Sequence, residues 1–296
     1  MADAKEIQNR MKSIQDTMKI TNAMYMISSN KLQKAKKNLE ATEPYFYTMQ
    51  ATISRILRHM PDMKHRYLEE ADAARKEKRR GYIVITGDKG LAGAYNHNVL
   101  KVAEQQLAQK GSHTLFVVGE LGRQYFASKG IQVDTQFRYT VQNPTMHRAR
   151  MISGRVLDLY DEQKLDEIYV IFTRMANSLQ VEVEMLQLLP LQHKNFEQTL
   201  PVWVRTEQFL LLPTPEAVLE SIIPNYVNGF IYGALVESFC SEQNSRMLAM
   251  QSANQSANEM LHGLAVQYNR VRQAAITQEI TEVIGGAKAL RRRKLQ

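Results

Sequence analysis

The sequence predicts an α/β chain in which a long coiled coil, made by the N- and C-terminal helices, carries an α/β domain inserted between its two halves. Three observations predict it. A 3.5-residue apolar seam opens the chain, a second one closes it, and the middle changes to short β-branched runs separated by helical pattern. Of the 296 residues 44% are hydrophobic, with 14 Gly and 8 Pro, which excludes a disordered or fibrous chain and leaves room for about two domains.

The first element is helical because no Gly precedes Gly81 and the first proline is Pro44, so nothing interrupts a helix from about Ala4 to Thr42. Its apolar or small residues fall at Ile7, Met11, Ile14, Met18, Thr21, Tyr25, Ser28, Leu32, Ala35 and Leu39. These steps alternate four and three, the period of a left-handed coiled-coil seam, with Thr21 and Ser28 as its polar members. A seam of that length requires a partner helix.

The stretch Leu68 to Arg80 has little apolar content and reads as a solvated linker into the next domain. Three strands follow at Tyr82–Thr86, Thr114–Val118 and Ile168–Thr173, each trailed by loop and helical pattern. Leu179 to Leu188 alternates apolar and polar, as a half-exposed edge strand does. The resulting boundaries are 1–60 for the first helix, 61–80 for the linker, 81–212 for the inserted domain and 213–296 for the closing helix.

That closing helix starts at Thr214-Pro215, an N-cap followed by proline in the first turn. Its stripe is expected at Met250, Ala253, Ala257, Met260, Leu264, Tyr268, Val271 and Ala275. Some 75–80 helical residues would reach about 110–120 Å, against a radius of gyration near 14 Å for a compact domain of about 130 residues. The helices are therefore expected to project as a rod whose longer strand outruns the shorter.

Charge is unevenly spread. Residues 1–80 have 17 basic and 10 acidic side chains, 81–212 have 13 of each, and 213–296 have 8 and 7. The lysines Lys31, Lys34, Lys36 and Lys37 are either a solvated helix face or a surface for an acidic partner. No aromatic residues interleave them, which weakens a single-stranded nucleic-acid reading. With one cysteine, Cys240, the chain forms no internal disulfide, and a reducing compartment is expected. The opening residues lack the apolar core of a secretory signal. No run approaches the roughly 18 apolar residues that cross a bilayer, so membrane association is expected only through partners.

The segment Thr86-Gly-Asp-Lys-Gly-Leu-Ala-Gly-Ala-Tyr-Asn96 follows a strand and opens a helix, where phosphate loops sit. It lacks the ending of a P-loop, and its glycines at 87, 90 and 93 do not have dinucleotide spacing. A tight turn needing positive φ at glycine is the main expectation, with nucleotide binding the minor alternative. The seven histidines are scattered, and Cys240 reads as a small packing residue. The residues supply no catalytic constellation, no cofactor site and no metal site.

Four stretches carry a specific resemblance, nearly end to end, to the gamma subunits of bacterial F-type ATP synthases. They are Met11-Lys-Ser-Ile with Thr17-Met-Lys-Ile-Thr-Asn-Ala-Met24 and Lys31-Leu32; the turn Thr86 to Asn96, which is similar to T-S-D-R-G-L-C-G-A-Y-N; Ser221 to Met250; and Tyr268-Asn-Arg-Val-Arg-Gln-Ala-Ala-Ile-Thr-Gln-Glu-Ile280. The resemblance implies a long antiparallel coiled coil of N- and C-terminal helices with an inserted α/β Rossmann-like domain, acting as a rotor shaft without catalysis of its own. It implies as partners the alpha and beta subunits of the catalytic head, the epsilon subunit and the membrane ring of c subunits. It also implies a peripheral place on the cytoplasmic side of a bacterial plasma membrane. Met24 matches the family's methionine beside the acidic levers of beta, which Lys31, Lys34 and the lysines after them would help to meet. Arg272, Gln273 and Thr277 match its polar catch on the head.

Lys89 and Ala92 depart from the family's Arg and Cys in the turn, and the basic tail Arg291 to Gln296 runs past the end of many members, where it is expected beyond the sleeve around the shaft tip or disordered. The redox insertion of the chloroplast type is lacking, so thiol regulation is not expected. The rival class, an elongated basic adaptor or nucleic-acid-binding protein, explains the charge but not two seams at opposite ends of the chain.

Overall fold

The computed structural model describes residues 2–60, 63–68, 78–109, 111–177, 180–192, 196 and 211–293. Its elements are α1 (Ala2–His59), β1 (Arg80–Ile85), α2 (Tyr95–Leu107), β2 (His113–Val118), α3 (Glu120–Ser128), α4 (Met146–Asp161), β3 (Glu167–Met175), β4 (Val181–Leu189) and α5 (Pro215–Arg293). Residues 69–77 of the expected linker, Leu179 of the expected edge strand and positions 294–296 of the tail lie outside the described residues. Two compact units result, Met1–Ile27 with Met247–Gln296, and Ser28–Arg246.

Helix α1 continues beyond the uninterrupted stretch Ala4–Thr42, through Pro44 to His59. Proline removes one backbone donor, yet Pro44 is exposed, so the carbonyl it leaves unpaired can meet water. Beyond it Met49, Ile53, Ile56 and Leu57 continue the three-four spacing and are all buried, which holds the helix together by packing. Helix α5 begins as expected, with Thr214 Oγ1 accepting from Ala217 N at 3.2 Å.

In the unit Ser28–Arg246 the strands form one sheet in the order β2-β1-β3-β4. β1 is parallel to both β2 and β3, and β4 is the antiparallel edge. The parallel strands are covered on both faces, which explains why their sequences are continuous apolar runs. One face, with Ile83, Ile85, Phe116, Val118, Ile168 and Val170, joins a core with Ile152 and Val156 of α4, Ile53 and Ile56 of α1, and Leu235 and Phe239 of α5. The opposite face, with Tyr82, Val84, Leu115 and Ile171, packs on Val99 and Leu100 of α2 and Phe126 of α3. The two long helices are thus built into the core of the sheet domain.

Lys78, Arg79 and Arg80 were expected to be solvated. Instead they pair with the start of β3: Arg79 grips Asp166 through Nε at 2.9 Å and Nη2 at 2.8 Å. Glu167, only 6% exposed, accepts from Lys78 Nζ at 2.7 Å, Arg80 Nε at 3.1 Å and Tyr169 OH at 3.0 Å. Burial alone would push the Glu167 carboxyl up, but Lys78, Tyr169 and Arg80 outweigh it and hold it below the usual carboxylate range. A depressed folded value stabilises the fold above the ordinary Glu value of about 4.3, and that stabilisation is lost as pH falls through the depressed value. The native chain should therefore lose more melting temperature than Glu167→Gln between about pH 5 and pH 3. Thermal unfolding at stepped pH measures this, and equal acid sensitivity would show that Glu167 is not a titrating stabiliser.

In the other unit the two helices run antiparallel. Thr21 Oγ1 donates to Asn254 Oδ1, and Asn254 Nδ2 donates to Asn22 Oδ1 at 2.5 Å. Nearer the N-terminus, Ile7 and Arg10 share a groove with Leu264, Gln267 and Val271. On α1 the half-buried positions include Ile7, Met11, Ile14, Met18, Thr21 and Tyr25, as the seam predicts, with Ala4 and Met24 beside them. On α5 they include Asn254, Ala257, Leu261, Leu264, Tyr268, Val271 and Ala275, whereas Ala253 and Met260 are exposed. The seam there steps 250–254–257–261, so Asn254 and Leu261 replace Ala253 and Met260. A polar residue enters the seam because Thr21 and Asn22 on α1 satisfy it, the arrangement that fixes register in a coiled coil.

Candidate functional site

The residues expected to face partners lie on the two long helices. Met24 is half-buried within the antiparallel pair, while Ile20, Met26 and Ile27 beside it in sequence are exposed. Lys31 and Lys34 are exposed on α1 and line one cleft of about 210 Å³ with Asn38, Asn143, Pro144, Thr145 and Tyr232. Arg272, Gln273 and Thr277 are exposed within little more than one turn of α5. The Thr277 hydroxyl donates to the Gln273 carbonyl at 2.9 Å, so its proton is used within the helix and its lone pairs remain outward. From 276 to 288 every residue of α5 is exposed, among them Ile276, Ile280, Val283 and Ile284. α1 begins at Ala2, and its Ile7 already lies beside Leu264 and Val271, so this stretch extends past the start of α1.

The Thr86–Asn96 turn joins β1 to α2. Asn96 Oδ1 accepts from Gly87 N at 2.7 Å. Asp88 accepts from Glu120 N at 3.1 Å, Val141 N at 3.2 Å and the Thr140 hydroxyl, so one carboxylate ties the turn to α3 and to the loop before α4. Positive φ falls at Leu91 (61°) and Gly93 (55°), not at Gly87 or Gly90. Gly87 is needed for closeness instead, since a Cβ there would lie 3.1 Å from Glu242 Cδ. Lys89 is exposed and contributes its carbonyl, while Ala92 is a small buried residue, 2% exposed, so neither departure from the family pattern disturbs the turn.

The sequence reading missed what α5 does here. From Ser238 to Arg246 every residue but Ser245 is buried, including Glu242 and Arg246. Burial pushes the Glu242 carboxyl up, Arg246 works against that push, and Asp88 adds to it. The available signal was a Glu–Arg pair four residues apart within an otherwise uncharged stretch of helix. Cys240 is 3% exposed and its thiol is pushed up to about 12, by burial first and Glu237 second, which disfavours the nucleophilic thiolate. Among the described residues no group of three or more His, Cys, Asp or Glu is placed to hold a metal, and no helix is long and apolar enough to cross a membrane.

Relatives decide what this arrangement belongs to. The family model described as ATP synthase matches residues 3–290. An ATP synthase gamma chain of Acetivibrio thermocellus is 44% identical over 296 residues, covering 98% of this chain and 100% of the relative. The chain belongs to the ATP synthase gamma chain family. Another gamma chain, from Staphylococcus epidermidis, is 36% identical over 294 residues, covering 98% and 100%. A chain in the Euglena gracilis mitochondrial ATP synthase (OSCP/F1/c-ring, rotational state 3) shares the fold with a TM-score of 0.65 at 17% identity, covering 98% of this chain and 95% of that one. Membership makes the chain a non-catalytic, central-stalk component of ATP synthase, and the adaptor and nucleic-acid readings of its basic helix give way to it.

Proposed function

We propose that the chain is the turning axle of an F-type ATP synthase, coupling ion flow through the membrane ring of c subunits to ATP synthesis or hydrolysis at the beta-subunit catalytic sites. In this reading residues 1–60 and 213–296 are the coiled-coil shaft, whose stretches outside the sheet-domain core enter the head of alpha and beta subunits, 61–80 the linker, and 81–212 the foot on the c ring beside the epsilon subunit. The complex would sit peripherally on the cytoplasmic side of a bacterial plasma membrane, with the chain reaching the membrane only through its partners.

The observation that supports the reading is the apolar stripe Ile276, Ile280, Val283 and Ile284, exposed on a stretch of α5 that continues past the start of α1. Such a stripe needs a protein sleeve to cover it. An axle works by making different contacts with each beta subunit at each angle, so that each rotation step favours a different nucleotide state of the subunit it meets. Met24, Lys31 and Lys34 would meet acidic levers of beta, and Arg272, Gln273 and Thr277 would form the catch on the head.

Charge reversal tests the catch. Arg272→Glu with Gln273→Glu changes two exposed positions, so the chain should fold and assemble normally. Ion-driven ATP synthesis and rotation rate in the reconstituted complex should fall by about tenfold, the size of a modest coupling term. Unchanged synthesis and rotation would remove these residues from the catch.

A further inference from the structure

Within the unit Ser28–Arg246, a buried charged pair on α5 holds the turn between β1 and α2. Glu242 and Arg246 have side chains only 5% and 9% exposed and meet at 2.6 Å. The same Arg246 nitrogen, Nη2, donates to the carbonyls of Lys89 at 3.1 Å and Gly90 at 3.0 Å. The turn so held is tied onward: Gly87 O accepts from Leu121 N at 3.2 Å, and Asp88 accepts from Glu120 N and Val141 N. One side chain of α5 is therefore linked, through the turn, to β1, α2, α3 and the loop before α4.

Attachment strength does not explain why charges sit here. Apolar side chains of similar volume commonly hold a buried interface as firmly as an ion pair, because the pair must first be stripped of water. Helix α5 already has Leu235, Val236 and Phe239 in the shared core for that purpose. Apolar packing, however, tolerates rotation and sliding among near-equivalent arrangements, whereas charge-assisted bonds to two fixed carbonyls define one angle.

We propose that Glu242 and Arg246 are a positioning pair that acts as a torsional key, fixing the turn, and with it the sheet domain, at one angle about α5. Helix and sheet domain then rotate as one body, without slip at the interface between them. This rests on the reading of the chain as an axle, where slip between foot and shaft would uncouple the two ends of the motor.

The test compares variants in the reconstituted complex and in the isolated full chain. Glu242→Leu with Arg246→Met removes both charges at similar volume and should melt near the native chain. Amide exchange across residues 88–93 should nevertheless accelerate by about tenfold or more, the effect of losing charge-assisted bonds to the turn carbonyls. Ions transported per ATP hydrolysed should fall as well. Arg246→Lys keeps the charge beside Glu242 but carries its ammonium about one bond short of the place where Nη2 meets the Lys89 and Gly90 carbonyls, and should show the same loss in weaker form. The proposal is overturned if the double variant recovers native exchange and native coupling along with native melting, since the pair would then be packing alone. Native exchange and coupling in Arg246→Lys would overturn it too. Failure of the axle reading looks different: the native chain itself would not restore ATP-driven ion transport to a complex that lacks it.

Discussion

Gly119→Ala should prevent the sheet domain from folding normally. Gly119 sits between β2 and α3 with φ 100° and ψ 142°, a region nearly closed to residues with a side chain. A Cβ there would fall 2.2 Å from the Thr86 carbonyl oxygen and 2.7 Å from its carbonyl carbon. Neither atom can move aside, because Thr86 is fixed on three sides. Its N–H donates to Val118 O at 2.9 Å, its hydroxyl donates to the same oxygen at 3.0 Å, and that hydroxyl accepts from Gly122 N at 3.1 Å. Backbone strain of about 1–3 kcal/mol adds to overpacking of about 1–3 kcal/mol, which brings the sum toward the exceptional range for one substitution. Thermal unfolding should show a fall of about 10 °C or more, or no cooperative transition at all. Gly130→Ala is the control: its φ is 70° but nothing lies within 4 Å, so only the strain remains and the fall should be much smaller. A Gly119→Ala chain that melts with Gly130→Ala would contradict the close approach of Gly119 to Thr86.

Features set by local spacing were legible in the sequence. The α1 seam from Ile7 to Tyr25 lies where its stepping puts it, and the parallel strands showed as β-branched runs because both of their faces are covered. On α5 the stripe was legible except at two steps, where Ala253 and Met260 stand one residue short of Asn254 and Leu261. Ala253 and Met260 looked like better seam residues than Asn254, and only Thr21 and Asn22, far away in the chain, make an asparagine acceptable there. The same reason hid the key. A Glu–Arg pair at i, i+4 ordinarily reads as a surface pair, and nothing local to α5 says that the turn at Lys89 and Gly90 covers it. Lys78 to Arg80 read as solvent-facing because Asp166 and Glu167 arrive from β3 only when the sheet forms. The partner-facing residues had no signal except resemblance, since an exposed Arg272 or Lys31 is chemically an ordinary helix surface.

Glycines on α5 allow a prediction in which neighbouring sites change sign. In a helix interior, glycine is less favourable than alanine by about 1 kcal/mol, so Gly→Ala stabilises wherever a methyl group fits. At Gly233 nothing lies within 4 Å of the added Cβ, and Gly233→Ala should raise the melting temperature by a few degrees. At Gly229, one turn earlier, the added Cβ would fall 1.9 Å from Phe46 Cδ1 and 2.9 Å from its Cγ. Cγ lies on the axis of ring rotation, so flipping the Phe46 ring cannot clear the clash, and α1 must move or Phe46 must leave its rotamer. Phe46 also packs on the Tyr232 ring, with centroids 6.3 Å apart, so displacing it disturbs a second contact between α1 and α5. Overpacking of about 1–3 kcal/mol should exceed the helix-propensity gain, and Gly229→Ala should lower the melting temperature. Adding Phe46→Leu, which removes the ring, should reverse the loss and let the propensity gain appear. If Gly229→Ala and Gly233→Ala both stabilised the chain, α1 and α5 could not approach as closely at Phe46 as the fold requires, and the packing that joins the two helices would have to be relaxed there by about the length of a methyl group.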